Sequence, residues 1–168
     1  MMEFTHLDEK GRARMVDVTG KNDTLRQATA RGTIRMSPEA FQRIMAGGIE
    51  KGDVLGVARI AGIMGAKQTA ELIPMCHPLN ITNVEIAFKP IEKQHHIEIE
   101  AQVKLRGRTG VEMEALTAVA IAALTIYDMC KAVDREMMIS DIHLVEKQGG
   151  KSGHFVRSKN LPRDDTGK

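Results

Sequence analysis

The sequence predicts an α+β protein with the ferredoxin-like split βαβ order, in which an antiparallel sheet packs on helices. Two observations lead to this prediction. A pair of alternating apolar runs lies in the middle of the chain, and long apolar segments with helical start or stop signals lie on either side of it. The order is therefore strand, helices, strand, strand, helix, strand. The 168 residues are enough for one folded domain.

The first strand is predicted at residues 29–36, where small or apolar side chains alternate with polar ones. Ser37-Pro38-Glu39 is typical of a helix start, because Ser caps free N–H groups, Pro fits the first turn and Glu favours the positive end of the dipole. This helix should end at Gly47-Gly48.

Asp53 can cap a second helix, which we expect to run towards Leu72 and to end before Pro74. The helix is apolar nearly all round, so it should be buried. Glycines weaken a helix interior, and close packing against another backbone would explain why they are tolerated here. They are Gly56, Gly62 and Gly65.

The central pair of strands has the clearest pattern in the chain. Apolar residues occupy alternate positions over 84–88 and 97–105, with a turn predicted at Lys89-Pro90. One face of this pair should be wet. A loop at 107–110, a long helix at 111–133 and a strand containing Ile142 and Leu144 follow. The polar composition from Lys147 onward predicts a mobile tail.

Composition excludes several classes of protein. A net charge of +2 and 3% aromatic residues argue against nucleic-acid binding. Two cysteines are too few for a disulfide framework and indicate thiols in a reducing compartment. The apolar stretch at 115–127 is shorter than the ~20 residues of a membrane span, and the charged N-terminus is no signal peptide. We therefore expect a cytoplasmic protein. The apolar helices and 11 methionines indicate either an oligomer or a Met-rich core.

Two groups of charged residues lie on the long helix. Asp128 and Lys131 share a face near its end, and partial burial would let them act as a general acid and base. A structural salt bridge at a helix end is the alternative. Glu112 and Glu114 open the helix, either as ordinary first-turn acids or as acceptors for the N–H groups of a heterocycle.

Met75-Cys76-His77-Pro78 could position a ligand, or His77 could be structural. Adjacent Cys and His side chains point apart, so they do not form a nucleophile–base dyad, and no ligand spacing supports a metal. Several cations lie beside Gly, Pro or element ends. Each of these cations by itself is typical of a solvated surface, but together they indicate a binding site for a polyanionic small molecule. These are Lys21, Arg26, Lys51, Lys67, Lys131, Lys147 and Lys151.

Six segments resemble the cyclic pyranopterin monophosphate synthase family of molybdenum cofactor biosynthesis. They are Met15-Val-Asp-Val-Thr19, Lys51-Gly-Asp-Val-Leu55, Ala61-Gly-Ile-Met64, Leu72-Ile-Pro-Met-Cys-His-Pro-Leu79, Gly110-Val-Glu-Met-Glu-Ala-Leu-Thr117 and Tyr127-Asp-Met-Cys-Lys-Ala132. The resemblance implies a single catalytic domain at 15–153, between a flexible segment at 1–14 and a flexible tail at 154–168.

The family converts 3',8-cyclo-7,8-dihydroguanosine 5'-triphosphate into cyclic pyranopterin monophosphate and pyrophosphate. It is a lyase without a redox cofactor, and whether Mg²⁺ accompanies the triphosphate stays open. The resemblance also implies a ferredoxin-like fold and a homo-oligomer, a hexamer built as a trimer of dimers, with the active site at a subunit interface. No nucleic acid or membrane partner is expected.

The resemblance assigns roles residue by residue. Asp128 resembles the family's catalytic acid/base, and Lys131 and Lys51 its essential lysines; His77 is expected both in catalysis and in substrate binding. The remaining substrate contacts are expected at Met75, Cys76, Glu112, Met113, Glu114, Lys67, Arg26, Lys21 and Lys147. Two other functions stay open: a nucleotide-binding module without catalysis, and a thiol hydrolase that uses Cys76.

Overall fold

The computed structural model describes residues 6–8, 10–47, 53–151 and 153–158. Ten elements follow one another: β1 (Thr24–Arg35), α1 (Pro38–Met45), α2 (Val54–Lys67), α3 (Thr69–Leu72), β2 (Asn83–Ile91), a 3₁₀ turn (Glu92–Gln94), β3 (His96–Gly107), α4 (Glu112–Cys130), β4 (Met138–Gln148) and β5 (Phe155–Val156). The strands pair antiparallel in the order β2-β3-β1-β4-β5. The predicted ferredoxin-like α+β fold is thereby confirmed.

The inner face of β3 forms the centre of the core. Its apolar side chains are all buried, as the alternation predicts, and Ala30 of β1 lies opposite Ala101 of β3. Polar side chains occupy the other face, where Arg31 and Glu100 form an ion pair of 2.6 Å. The buried apolar residues of β3 are Ile97, Ile99, Ala101, Val103 and Leu105.

The turn predicted at Lys89-Pro90 is wrong by a few residues. Strand β2 continues through Pro90, which lies opposite Ile97, and the chain reverses in the 3₁₀ turn that follows. Because β2 is at the edge of the sheet, a residue without an N–H can be accommodated there. His95 closes the turn with a left-handed φ of 47°.

Both predicted helix caps are confirmed. The Ser37 hydroxyl accepts a hydrogen bond from the Ala40 N–H at 3.3 Å, and the Asp53 carboxylate accepts one from the Gly56 N–H at 2.8 Å. Helix α2 ends at Lys67 and not near Leu72, however. The Thr69 hydroxyl donates to two carbonyls of the last turn of α2, and the short helix α3 begins there.

Close packing explains two of the three helical glycines. A Cβ on Gly62 would lie 2.9 Å from the Ala118 carbonyl oxygen of α4, and one on Gly65 would lie 2.8 Å from a side-chain carbon of Ile121. A Cβ on Gly56 would instead meet the capping carboxylate of Asp53. The two apolar helices therefore approach each other closely, as predicted for Gly62.

The predicted burial of α2 holds for only one face of the helix. Ala58 and Ala66 are buried, whereas Ile60 is 62% exposed and Val57 and Met64 are exposed as well. Helix α4 and the sheet cover one side of α2, and no helix or strand of the described residues covers the other. We call Val57, Ile60 and Met64 the outer face of α2.

Helix α4 is long and apolar enough to cross a membrane by length and composition, which the prediction from residues 115–127 alone missed. Its position accounts for this composition, since ten of its 19 residues are buried. It contacts α2 and strands β1, β3 and β4. The core helix of a folded domain commonly has this length and apolar composition, so these two features alone do not indicate a membrane span.

Lys147 and Gln148 lie in β4, although a mobile tail was expected from Lys147 onward. Lys147 is opposite Ala28 of β1 on one side and Phe155 of β5 on the other. This pairing fixes the Lys147 backbone beside the first strand.

Candidate active site

Two adjoining cavities lie where α4 begins. The first has a volume of about 280 Å³, and we call it the carboxylate cavity because Glu112 and Glu114 line it. The second has a volume of about 660 Å³, and we call it the basic cavity because most of its charged side chains are cationic. Lys21, Thr109, Gly110 and Glu112 line both cavities, so the two lie side by side.

The start of α4 places the acidic residues of the carboxylate cavity. Val111 provides no side-chain cap, so Glu112 and Glu114 are the polar side chains nearest the unpaired N–H groups of the first turn. Gly110 allows the chain to enter closely, because a Cβ there would collide with the Glu112 carboxylate.

A turn after α3 supplies the opposite wall of the carboxylate cavity. The Cys76 N–H donates to the Ile73 carbonyl at 3.0 Å, and this turn presents Met75, Cys76 and His77 as half-buried side chains. The two stretches expected to contact substrate, 75–77 and 112–114, therefore meet in one cavity.

Glu114 has the most perturbed environment in this cavity. It is 4% exposed, and desolvation raises the pKa of its carboxyl to about 7, with a smaller contribution from the negative charge of Glu112. The backbone N–H of Glu114 opposes the shift. Burial also raises the pKa of the Cys76 thiol, and the charge of Glu114 adds to that effect. A carboxyl that titrates near neutral pH suits proton transfer.

The basic cavity contains five cationic side chains and one carboxylate. Arg26, Lys21 and Lys147 were predicted in the substrate site, and Lys151 was grouped with the cations for a polyanionic ligand without a role from the family resemblance, whereas Arg108 was missed. The sixth charged residue is Glu112, at the junction with the carboxylate cavity. Such an excess of positive charge favours an anionic ligand with several charges.

Arg26 is the most constrained of these cations. It is 8% exposed, and its Nε and Nη2 donate to the carbonyls of Gly107 and Arg108, each at 3.2 Å. Gly149 and Gly150 pass over it with φ of +94° and +81°. A Cβ on either glycine would collide, with the Leu25 carbonyl for Gly149 and with Arg26 itself for Gly150.

Arg108 holds the loop that carries Lys21. Its Nε lies 3.3 Å from the Asp23 carboxylate, and its Nη1 donates to the Thr19 carbonyl at 3.3 Å. Arg108 follows Gly107 in a loop, and its spacing gave no sign that it would line a cavity with residues 80 to 90 positions earlier.

Asp128 and Lys131 lie apart from both cavities within one chain. They form an ion pair of 2.7 Å between Nζ and Oδ1, and their side chains are 63% and 54% exposed, so the expected partial burial is wrong for the single chain. At about 1.5 Å per residue, α4 separates Asp128 from Glu112 by about 24 Å. The ion pair itself matches the structural alternative considered above.

The two other predicted lysines, Lys67 and Lys51, differ in what the structure shows of them. Lys67 is exposed at the last residue of α2 and lines neither cavity. Lys51 lies outside the described residues. Among the residues that the structure describes, no group of three or more His, Cys, Asp or Glu side chains is arranged to hold a metal ion.

The fold and the two cavities define a small α+β protein with a ligand-binding site. The cations of the basic cavity suit an anionic group, and the titratable side chains of the carboxylate cavity suit a polar ring. Residues 15–150 match the model of the MoaC family, and the chain belongs to that family. The resemblance drawn from the six sequence segments is thereby confirmed.

Several relatives match over nearly their whole length. A protein of Desulfitobacterium hafniense is 63% identical over 160 residues, covering 95% of this chain and 98% of the relative. One of Syntrophomonas wolfei is 64% identical over 156 residues, covering 93% and 99%. One of Heliobacterium modesticaldum is 60% identical over 159 residues, covering 95% and 100%. All three are named cyclic pyranopterin monophosphate synthase.

Proposed function

We propose that this protein is a cyclic pyranopterin monophosphate synthase of molybdenum cofactor biosynthesis. It is a lyase that converts 3',8-cyclo-7,8-dihydroguanosine 5'-triphosphate into cyclic pyranopterin monophosphate and pyrophosphate. The observation that carries the proposal is the pair of adjoining cavities, one with titratable groups and one with cations, in a chain 60–64% identical to relatives with that name.

The carboxylate cavity suits the purine-derived ring. Opening that ring hydrolytically and closing a pyranopterin needs groups that give and take protons near neutral pH. Glu112 and His77 hold the base or the sugar, while Met75, Cys76 and Met113 form the surrounding wall. Glu114 adds a carboxyl with a pKa of about 7.

The basic cavity suits the triphosphate. In the last step a hydroxyl oxygen bonds to the α-phosphorus, the bond from that phosphorus to the bridging oxygen breaks, and a base takes the hydroxyl proton. Pyrophosphate leaves with increased negative charge, which nearby cations stabilise. Lys21, Lys147 and Arg26 supply that charge here, joined by Lys67 from outside the cavity.

A complete site requires a second copy of the chain. Asp128, Lys131 and Lys51 are proposed to move protons, yet Asp128 is about 24 Å from Glu112 in the same helix. We therefore propose a homo-oligomer, a hexamer built as a trimer of dimers, in which one protomer supplies Asp128 and Lys131 to the cavities of another. The exposed outer face of α2 supports association, since burying each large apolar side chain contributes about 1.5–3 kcal/mol.

The reaction needs no redox cofactor, because no net oxidation occurs; Mg²⁺ can accompany the triphosphate as it does for other polyphosphates. We place the enzyme in the cytoplasm, where thiols such as Cys76 and Cys130 stay reduced.

Incubation with the cyclic dihydro-GTP substrate tests the proposed function. The parent protein should release pyrophosphate, and Asp128→Asn and Lys51→Ala should each lower the rate by roughly 10²–10⁴-fold. Unchanged rates in both variants would show that the catalytic assignment is wrong. Binding without pyrophosphate release by the parent would favour the non-catalytic module instead.

Cys76→Ser addresses the thiol hydrolase. Full activity of this variant would exclude a nucleophilic role for Cys76, because Ser without a general base is a poor nucleophile. Chelation of divalent ions in the same assay shows whether Mg²⁺ contributes.

A further inference from the structure

Two carboxyl groups, two residues apart, line the carboxylate cavity but differ in burial. Glu112 is half-buried and also borders the basic cavity, which Lys21 and Arg108 line. Glu114 is 4% exposed and lines only the carboxylate cavity of the two. Glu112 therefore borders the cavity with more cations, whereas Glu114 is almost wholly enclosed by protein in the cavity that Lys21 also lines.

Within the described part of one chain no cation pairs with Glu114, and Asp128 and Lys131, which a second copy is proposed to bring to these cavities, form an ion pair with each other. Among the described residues, no Lys, Arg or His nitrogen lies within the 4 Å of an ion pair with its carboxyl, and the hydrogen bond it receives is from its own backbone N–H. The titratable groups that line the cavity with it are Glu112 on α4, Cys76 and His77 on the turn after α3, and His6 and Lys21 on the N-terminal segments. Glu112 opposes a second negative charge. Desolvation of the buried carboxyl does the same, and together they raise its pKa to about 7.

We propose that Glu114 binds the substrate ring as a neutral carboxylic acid that donates a hydrogen bond, while Glu112 accepts hydrogen bonds as a carboxylate, so that the pair selects a guanine-type edge. This inference rests on the proposed function and concerns how that same site chooses its ring. A protonated carboxyl has one O–H donor, whereas an ionised one only accepts.

The pattern of the two carboxyls matches the pyrimidinone half of guanine, which the cyclic dihydro-GTP substrate retains. That edge presents two adjacent N–H donors, at N1 and the 2-amino group, next to the O6 acceptor. The Glu112 carboxylate can take both donors and the Glu114 O–H can reach the acceptor. Adenine has an amino donor in place of O6 and an unprotonated N1, so it would leave the buried O–H unpaired.

Calorimetric titration with GTP, which lacks the 3',8 bond, tests this selection. At pH 6.5 the parent should bind GTP at least tenfold more tightly than ATP. Its affinity for GTP should then fall above pH 7, towards tenfold per pH unit, because Glu114 must regain a proton to donate. Equal affinity for the two nucleotides, including no binding of either, would overturn the proposal.

Glu114→Gln is the matched variant, because its amide donates at every pH. It should bind GTP at pH 6.5 within a fewfold of the parent, and the ratio of the two affinities should shift in its favour as pH rises. Ionisation of the nucleotide phosphates affects both proteins alike and cancels in that ratio. A ratio that stays constant, or shifts towards the parent, would mean that Glu114 acts as a carboxylate.

Two further variants distinguish loss of the Glu114 hydrogen-bond donor from failure of the protein to fold. Glu114→Leu has no donor, so it should bind GTP at pH 6.5 about tenfold more weakly than the parent and show a smaller loss above pH 7. Glu112→Gln should lose affinity across the whole range. Thermal melts of each variant at pH 6.5 identify any that fails to fold, in which case the parent's pH dependence and its GTP/ATP ratio decide the proposal.

Pyrophosphate release by the parent, measured in the same preparation, keeps the two proposals distinguishable. Release together with a constant affinity ratio refutes the neutral Glu114 alone. Absence of release refutes the synthase, whatever the nucleotide titrations show.

Discussion

Arg26 donates a hydrogen bond from Nη2 to the carbonyl oxygen of Arg108, 3.2 Å away, and thereby ties β1 to the loop that follows β3. Its Nε donates to the Gly107 carbonyl at the same distance. The guanidinium is planar and can hold both carbonyls at once. A cation of the basic cavity is therefore also a brace for the loop between β3 and α4.

Arg26→Lys should weaken the site more than its unchanged charge suggests. A lysine cannot reproduce two parallel N–H bonds, so we expect the KM for the substrate to rise about tenfold and the free energy of unfolding to fall by about 1–3 kcal/mol. Steady-state kinetics and denaturant unfolding measure the two effects. A variant with parental KM and stability would show that the paired carbonyl contacts are dispensable.

Gly149→Ala should destabilise the loop that covers Arg26. The new Cβ would meet the Leu25 carbonyl, and φ of +94° is strained for alanine, so we expect a loss of about 1–3 kcal/mol with weaker substrate binding. Gly20→Ala is the control: it also lines the basic cavity, but a Cβ there meets nothing within 4 Å. Its stability should stay within about 0.5 kcal/mol of the parent. Equal effects of the two substitutions would contradict this account.

Local chemistry predicted much of the fold. The caps at Ser37 and Asp53 and the alternation of β3 depend on neighbours within a few residues, and all three are present. The turn at Pro90 was predicted wrongly because proline commonly occurs in turns. Whether a strand tolerates proline depends on its position in the sheet, and β2 lies at the edge. Strand order is a property of the whole chain.

Residue types singled out candidates for the site, and the family resemblance then assigned them roles. The resemblance indicated both 75–77 and 112–114, but spacing alone could not place them in one cavity. Arg108 escaped notice because its role depends on Asp23 and Thr19, far away in the chain. The apolarity of α2 predicted burial without showing whether this chain or another copy covers Ile60.

Stability should depend on pH through Glu114. Its pKa of about 7 in the folded protein exceeds the ordinary 4.5, so the folded state holds more protons than the unfolded state between these values. The free energy of unfolding should therefore fall as pH rises from about 4.5 to 7, by up to about 3 kcal/mol from this group.

Glu114→Gln should remove that dependence and be more stable than the parent at pH 8, though not at pH 4.5. Urea unfolding at both pH values measures the difference, with the exposed Glu92→Gln as control. If Glu114→Gln lowered stability at pH 8, the buried carboxyl would have to be stabilised as an anion.

Ile60→Glu should prevent the proposed oligomer from forming without unfolding the chain. Ile60 lies on the outer face of α2 and is 62% exposed, so a carboxylate there should change the stability of the single chain little. In a buried apolar interface the same charge is strongly unfavourable for association. We expect smaller species in light scattering, loss of pyrophosphate release and an unchanged far-ultraviolet spectrum.

Met45→Glu is the matched control, because Met45 is also exposed but lies on α1. It should leave both mass and activity unchanged. If Ile60→Glu kept the parental mass and rate, the outer face of α2 would not be the contact between copies.

Mixing two inactive variants should restore activity if one site draws on two chains. Glu112→Gln damages the carboxylate cavity and Asp128→Asn removes the proposed acid/base about 24 Å away on the same helix. In a mixed pair one site receives both defects and the other receives neither. After joint refolding at equal amounts, random pairing should give about a quarter of the parental rate, while each variant alone stays at background. The doubly substituted chain, refolded with an equal amount of parent, should give the same quarter, since only parent–parent pairs then contain intact sites. Mixtures of the two single variants that remain inactive would place Asp128 and Glu112 in the site of the same chain.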